Sequence, residues 1–67
     1  MTKKQTVHFL MQGAKVMVMN SSTGDFIKLF KVNMGYQHDM AAFLQDNNYI
    51  ITKETAANFP YLSMFTS

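Results

Sequence analysis

One uninterrupted stretch constrains this chain most: Lys15-Val-Met-Val-Met-Asn20, then Ser21-Ser-Thr-Gly24, then Asp25-Phe-Ile-Lys-Leu-Phe-Lys-Val32. It reads as two β-strands around a turn. Ser21, Ser22, Thr23 and Gly24 suit a type I turn whose last residue sits at positive φ as a G1 bulge, where glycine avoids a Cβ clash. That turn sets a register in which Met19 faces Ile27, Met17 faces Leu29, Val18 faces Lys28 and Val16 faces Phe30, because strand side chains alternate between the two sides of a sheet. One face is then Met17, Met19, Ile27 and Leu29, apolar up to Lys15 and Lys31 at its far end. The other holds Val16, Val18, Phe26, Phe30 and Val32 around the lone Lys28. A sheet wetted on one side alternates apolar with polar residues, whereas here both faces require cover. The Met17/Leu29 face is expected to be the core, and the face bearing Val18, Phe26, Lys28 and Phe30 is expected to meet a partner.

Gln5–Gln12 supplies a further strand, with Val7, Phe9 and Met11 on one face and His8 and Leu10 on the other, ended by Gly13. Asn33-Met-Gly35 breaks the β pattern. Tyr36, Met40, Phe43, Leu44 and Asn47 then recur at helical spacing, which predicts a helix over 36–47 packed on the sheet. Asn33 or Asp39 is the expected cap at its start, and Asn47-Asn48 the stop, since asparagine tolerates the left-handed conformation after a last turn. Tyr49-Ile-Ile51 is a brief extended segment. Thr52 is placed to cap a short second helix over 53–59, which Pro60 terminates. Tyr61-Leu-Ser-Met-Phe65 is apolar where chain ends are ordinarily polar and frayed, so the tail is expected to dock and to bring Tyr61 and Phe65 to the partner-facing surface. The expected fold is a single small α+β domain over 1–67: a three-stranded antiparallel sheet, made of the β-hairpin and the N-terminal strand, followed by two helices packed on it. Helix 36–47 on one face and segment 49–65 on the other would instead give a sandwiched sheet.

At 67 residues the chain is near the size at which one core is only marginally stabilising. It has no cysteine, which excludes disulfides and zinc–thiolate sites. Lys3-Lys4 precede an apolar stretch as in a secretory signal, but His8, Gln12 and Lys15 interrupt it and no small-residue cleavage site follows. No run approaches the roughly 20 apolar residues of a membrane helix. The expectation is a mature cytoplasmic protein that does not engage a membrane. Its six basic residues are all lysine. With frequent Asn, Met, Phe, Ile and Tyr, this usage fits an A/T-rich coding sequence of the kind that bacteriophages and mobile elements carry, in which case the cytoplasm is the host's.

The histidines and carboxylates are His8, His38, Asp25, Asp39, Asp46 and Glu54, and no nucleophile, base and orienting group share a spacing that a reaction demands. His38 and Asp39, adjacent on a helix, project in different directions. His8 between Val7 and Phe9 reads as a face-lining residue, and a metal on His8 and His38 would need a third ligand that the spacing does not bring in. The chain is therefore expected to be no enzyme and to use no metal and no cofactor. Two binding readings are left. In the preferred one the protein binds a host protein that it inhibits or redirects by occlusion, using Val18, Phe26, Lys28, Phe30, Tyr61 and Phe65; its seven methionines, soft and adaptable at interfaces, favour this. A homodimer through that face or through an open edge strand is a natural companion for so small a domain. In the alternative, Phe26, Lys28 and Phe30, joined by His8, stack the bases of a single-stranded nucleic acid while Lys3, Lys4, Lys15, Lys28 and Lys31 contact phosphates, with a net charge of +2. The absence of arginine and of RNP or glycine-loop motifs weighs against it.

Overall fold

The computed structural model describes residues 4–66. Strands β1 (Gln5–Gln12), β2 (Lys15–Asn20), β3 (Phe26–Lys31) and β4 (Tyr49–Ile51) form one sheet in the order β3-β2-β1-β4. Helix α1 (Tyr36–Asp46) connects β3 to β4, and α2 (Lys53–Asn58) and a 3₁₀ helix (Pro60–Phe65) follow. β1 pairs antiparallel with β2, β2 antiparallel with β3, and β1 parallel with β4. The architecture is α+β as expected, but the sheet has four strands and is mixed. Tyr49-Ile-Ile51 becomes a strand because it takes up the free edge of β1, with Gln5↔Tyr49, Thr6↔Ile50 and Val7↔Ile51 in register. A segment that short carries no periodicity of its own, so only the long-range pairing defines it.

The hairpin turn follows its sequence. Asn20 Oδ1 accepts from the N–H groups of Ser22 (2.8 Å) and Thr23 (3.1 Å), and Gly24, at φ 79, donates to the Asn20 carbonyl (2.8 Å). Val16↔Phe30, Met17↔Leu29 and Val18↔Lys28 pair as predicted, but Met19 faces Phe26, since the register shifts beyond Val18 and leaves Ile27 as the extra residue of a β-bulge. α1 begins after Gly35, at φ 87, with no side-chain cap, so neither Asn33 nor Asp39 performs that role. It ends at the two asparagines: Asn48 has φ 57, and Asn47 Nδ2 donates to the Phe43 carbonyl (2.9 Å).

The core gathers Val7 and Phe9 from β1, Val16 and Val18 from β2, Phe30 from β3 and Ile51 from β4 beneath Met40 and Leu44 of α1, with Phe59 and Leu62. This is the face opposite to the one expected. The handedness of the crossover explains it. β3 and β4 run parallel, so α1 must pass over β2 and β1 on one side, and such connections are right-handed. The Val32 N–H donates to the Ala14 carbonyl (2.8 Å), which means that Lys28 and Phe30 likewise turn their backbone polar groups toward β2. For L-residues on a strand running in this direction, the side chains of Lys28 and Phe30 then point to the side that a right-handed crossover covers. The C-terminal segment lands on the same side, so the sheet is not sandwiched: Phe43 meets Phe30 edge-on at 5.5 Å, and Phe59 meets Phe9 at 5.6 Å.

Tyr61, on the 3₁₀ helix, lies beside Tyr36 at the start of α1. Burial, then the hydrogen bond to Tyr36, then the charge Tyr36 acquires on ionising push the Tyr61 phenol up to about 12 from 10.0, against an opposing hydrogen bond from Gln37.

Two outcomes follow from this packing. Phe30→Ala should cost about 3–5 kcal/mol in urea unfolding, whereas Leu29→Ala on the uncovered face should cost less than about 1 kcal/mol. Because the unfolded chain loses the Tyr61 proton first, the folded state binds more protons between pH 10.0 and about 12, and stability falls as pH rises through that window. The stability difference between the wild type and Tyr61→Phe should therefore shrink across it in urea melts.

Candidate functional site

With both helical segments on one side, the opposite face of β1, β2 and β3 is open. His8↔Met19 and Leu10↔Met17 pair across β1 and β2, and Met17↔Leu29 and Met19↔Phe26 across β2 and β3. Alternation puts all of these side chains on the uncovered side. Leu10, Met17 and Leu29 form a band that crosses three strands; Leu10 is 40% and Leu29 41% exposed, and Met17 and Met19 are half-buried by one another's neighbours. Phe26, 61% exposed, borders the band beside the turn. At the other end Gln12↔Lys15 and Lys15↔Lys31 bring two lysines side by side as a cationic rim.

His8 closes the third side of this face and is held by α2. The first N–H of β1 beyond the reach of β4, that of Phe9, donates to Thr55 Oγ1 (3.1 Å), and Thr55 is fully buried. Thr52 caps α2 by accepting from the Thr55 N–H (3.1 Å), and its own hydroxyl donates to Thr55 Oγ1 (3.0 Å). His8 Nδ1 lies 3.2 Å from Thr55 Oγ1 and 3.3 Å from Thr52 Oγ1. Every group in this set is satisfied when the Thr55 hydroxyl donates to an unprotonated Nδ1, which assigns the Nε2–H tautomer to neutral His8. The network fixes the imidazole beside a surface depression of about 490 Å³ lined by Met19, Asn20, Gly24, Thr52 and Glu54.

The residues singled out in the sequence as partner contacts fall in three places. Val18 and Phe30 are buried and belong to the core, and Lys28, exposed, lies with Nζ 5.4 Å from the centre of the Phe30 ring that it covers. Phe26 is on the open face, because the bulge at Ile27 shifts the alternation between Phe26 and Lys28. Phe26 and Phe30 therefore do not share a face, and the paired-ring platform for stacking bases is not formed. Tyr61 and Phe65 belong to the 3₁₀ helix on the covered side, Tyr61 edge-on to Phe59 at 6.2 Å and Phe65 half-buried against the core. Lys3 lies outside the described residues. The sequence pattern points Met17, Met19 and Leu29 to the core and gives Leu10 no role, yet they form the open band; the signal that finds them is the parallel pairing of β4, which dictates the side of the crossover.

Among the described residues, no three His, Asp or Glu side chains gather into a group that could hold a metal ion, and no helix is long and apolar enough to cross a membrane. No protein-family model matches the chain, and comparison with curated proteins and with solved structures gives no match.

The buried hydroxyl offers a direct test of this corner. Thr55→Val keeps the shape but leaves the Phe9 N–H without an acceptor and should cost about 1–3 kcal/mol by urea unfolding, while Thr55→Ser should retain most of the stability.

Proposed function

We propose that this protein is a non-enzymatic binding factor that seats another protein on the open face of its sheet, centred on Leu10, Met17 and Leu29 with Met19 and Phe26 at the border. The observation that carries this is the apolar band left uncovered after both helical segments have packed on the other side. A contiguous apolar surface rimmed by polar residues is the usual mark of a docking site, and methionine adapts its shape to an incoming surface. The lysine pair Lys15/Lys31 favours a partner with carboxylates beside its apolar patch. The arginine-free, A/T-leaning composition supports a bacteriophage or mobile-element origin, with a host cytoplasmic protein as the partner, inhibited or redirected by occlusion. Single-stranded nucleic acid is the weaker reading, since the open face offers one exposed ring, Phe26, and the buried Phe30 has no free face to stack on.

Immobilised protein should capture a discrete protein from a bacterial lysate, identified by mass spectrometry. Leu10→Glu, on a side chain already partly exposed, should weaken that complex by tenfold or more, about 1.4 kcal/mol, while Lys28→Ala on the covered side should leave it unchanged. Equal binding by Leu10→Glu, with the fold intact by circular dichroism, would refute the assignment of this face; recovery of oligonucleotide with a steep salt dependence would favour the nucleic-acid reading.

A further inference from the structure

The hydroxyl pair that holds His8 can carry its protons in two directions. Thr55 Oγ1 lies 3.2 Å from His8 Nδ1, 3.0 Å from Thr52 Oγ1 and 3.1 Å from the Phe9 amide nitrogen, and Thr52 Oγ1 lies 3.1 Å from the Thr55 amide nitrogen. Both amides can only donate, which fixes one acceptor position on each hydroxyl. The direction of the two O–H bonds is free. With the ring neutral they run inward, Thr52 donating to Thr55 and Thr55 to Nδ1. An imidazolium carries a proton on Nδ1 and accepts nothing, so the inward chain would then set two hydrogens against each other. Run outward, the same chain is again complete. Nδ1–H donates to Thr55 Oγ1, and the Thr55 O–H donates to Thr52 Oγ1, so each oxygen accepts twice. The displaced Thr52 hydrogen reaches water, because Thr52 is only half-buried while Thr55 is fully buried. Donation from Nδ1 to Thr52 Oγ1, at 3.3 Å, would instead leave the buried Thr55 O–H without an acceptor.

We propose that Thr52 and Thr55 form a reversible hydroxyl relay through which His8 takes up a proton without leaving its place, so that acidification adds a fixed positive charge to the open face of the sheet. Turning two O–H bonds is the only internal movement required, and every group of the set keeps a partner in both states. The charged side chains lining the depressions on either side of the imidazole are Lys53 and Glu54, both exposed on α2. The β2 end and the turn contribute only the uncharged Met19, Asn20, Ser21 and Gly24. Lys53 and Glu54 stay in place in every variant below, so their fields act on the ring alike.

The measurement needs no partner, so its failure is separate from failure of the docking assignment. Nitrogen–proton NMR correlations, recorded on the whole chain through a pH titration, report each imidazole nitrogen separately, and His38, exposed on α1, is the internal control. His8 Nδ1 should pass from acceptor to N–H on acidification, while the nuclear Overhauser contacts between its ring and Thr55 persist. Thr52→Val removes the acceptor on which the outward chain ends, leaving the buried Thr55 O–H unpaired only when the ring is charged. The titration midpoint of His8 should therefore fall by about one pH unit or more, with that of His38 unmoved, and Thr52→Ser should restore it. Loss of the ring–Thr55 contacts in acid shows that protonation expels the imidazole and overturns the relay. So does a Thr52→Val midpoint equal to that of the wild type, or an Nδ1 already bearing hydrogen in the neutral ring. The wild-type contacts decide the question even where loss of the α2 cap unfolds Thr52→Val.

Discussion

The connection from β3 to β4 has to travel across the sheet, and the chirality of the polypeptide chooses the side on which it does so. Most other features depend on that choice. Once α1 passes over β2 and β1, Met40 and Leu44 are brought down on Val7, Val16, Val18 and Phe30, and β4 is delivered parallel to β1 at the far edge. The chain then continues from the end of β4 on the side already covered, so Phe59 and Leu62 extend the same core instead of shielding the other face. A domain of this size has one core to make, and the helices are both spent on it.

Closing the β4 edge raises a polar problem that an apolar side chain would not solve. β4 is three residues long and leaves the Phe9 N–H of β1 facing the base of α2. An unpaired amide there would cost as much as several methylene groups contribute. Thr55 meets it with a hydroxyl that is itself oriented by the Thr52 cap and by His8, so one helix start serves as cap, edge cover and tether for the imidazole. No buried side-chain nitrogen or oxygen is left without a partner among the described residues. Among the described residues, the β3 edge has no comparable device.

The surface that remains combines an apolar band with a cationic end and a threonine-held histidine. Met17 sits on β2, which is paired on both sides, and Leu10 pairs with it across β1, so the backbone at the centre of the band is held in the ladder while the methionine tips are adaptable. A rigid platform with soft contacts suits recognition of a folded partner more than enclosure of a small ligand, for which a site buries most of the ligand's surface.

Local chemistry determined much of this protein from the sequence alone. Ser21–Gly24 make the turn with Gly24 at positive φ, the period-two pattern defines β1 to β3 and three of the hairpin's pairs, Asn47-Asn48 stop α1, and Thr52 starts α2, because each is a matter of backbone conformation or neighbouring hydrogen bonds. The amino-acid pattern also showed that both faces of the hairpin are apolar. Only the tertiary structure decided which of them is buried. Val18 and Phe30 are no more apolar than Met17 and Leu29, so hydrophobicity could not rank them, and the deciding quantity was the direction of a crossover to β4, a strand too short to announce itself. The bulge at Ile27 is likewise a property of pairing, and it alone separates Phe26 from Phe30. Thr55 was invisible for the same reason: its hydroxyl matters because of an amide 46 residues away, and that proximity exists only in the folded chain.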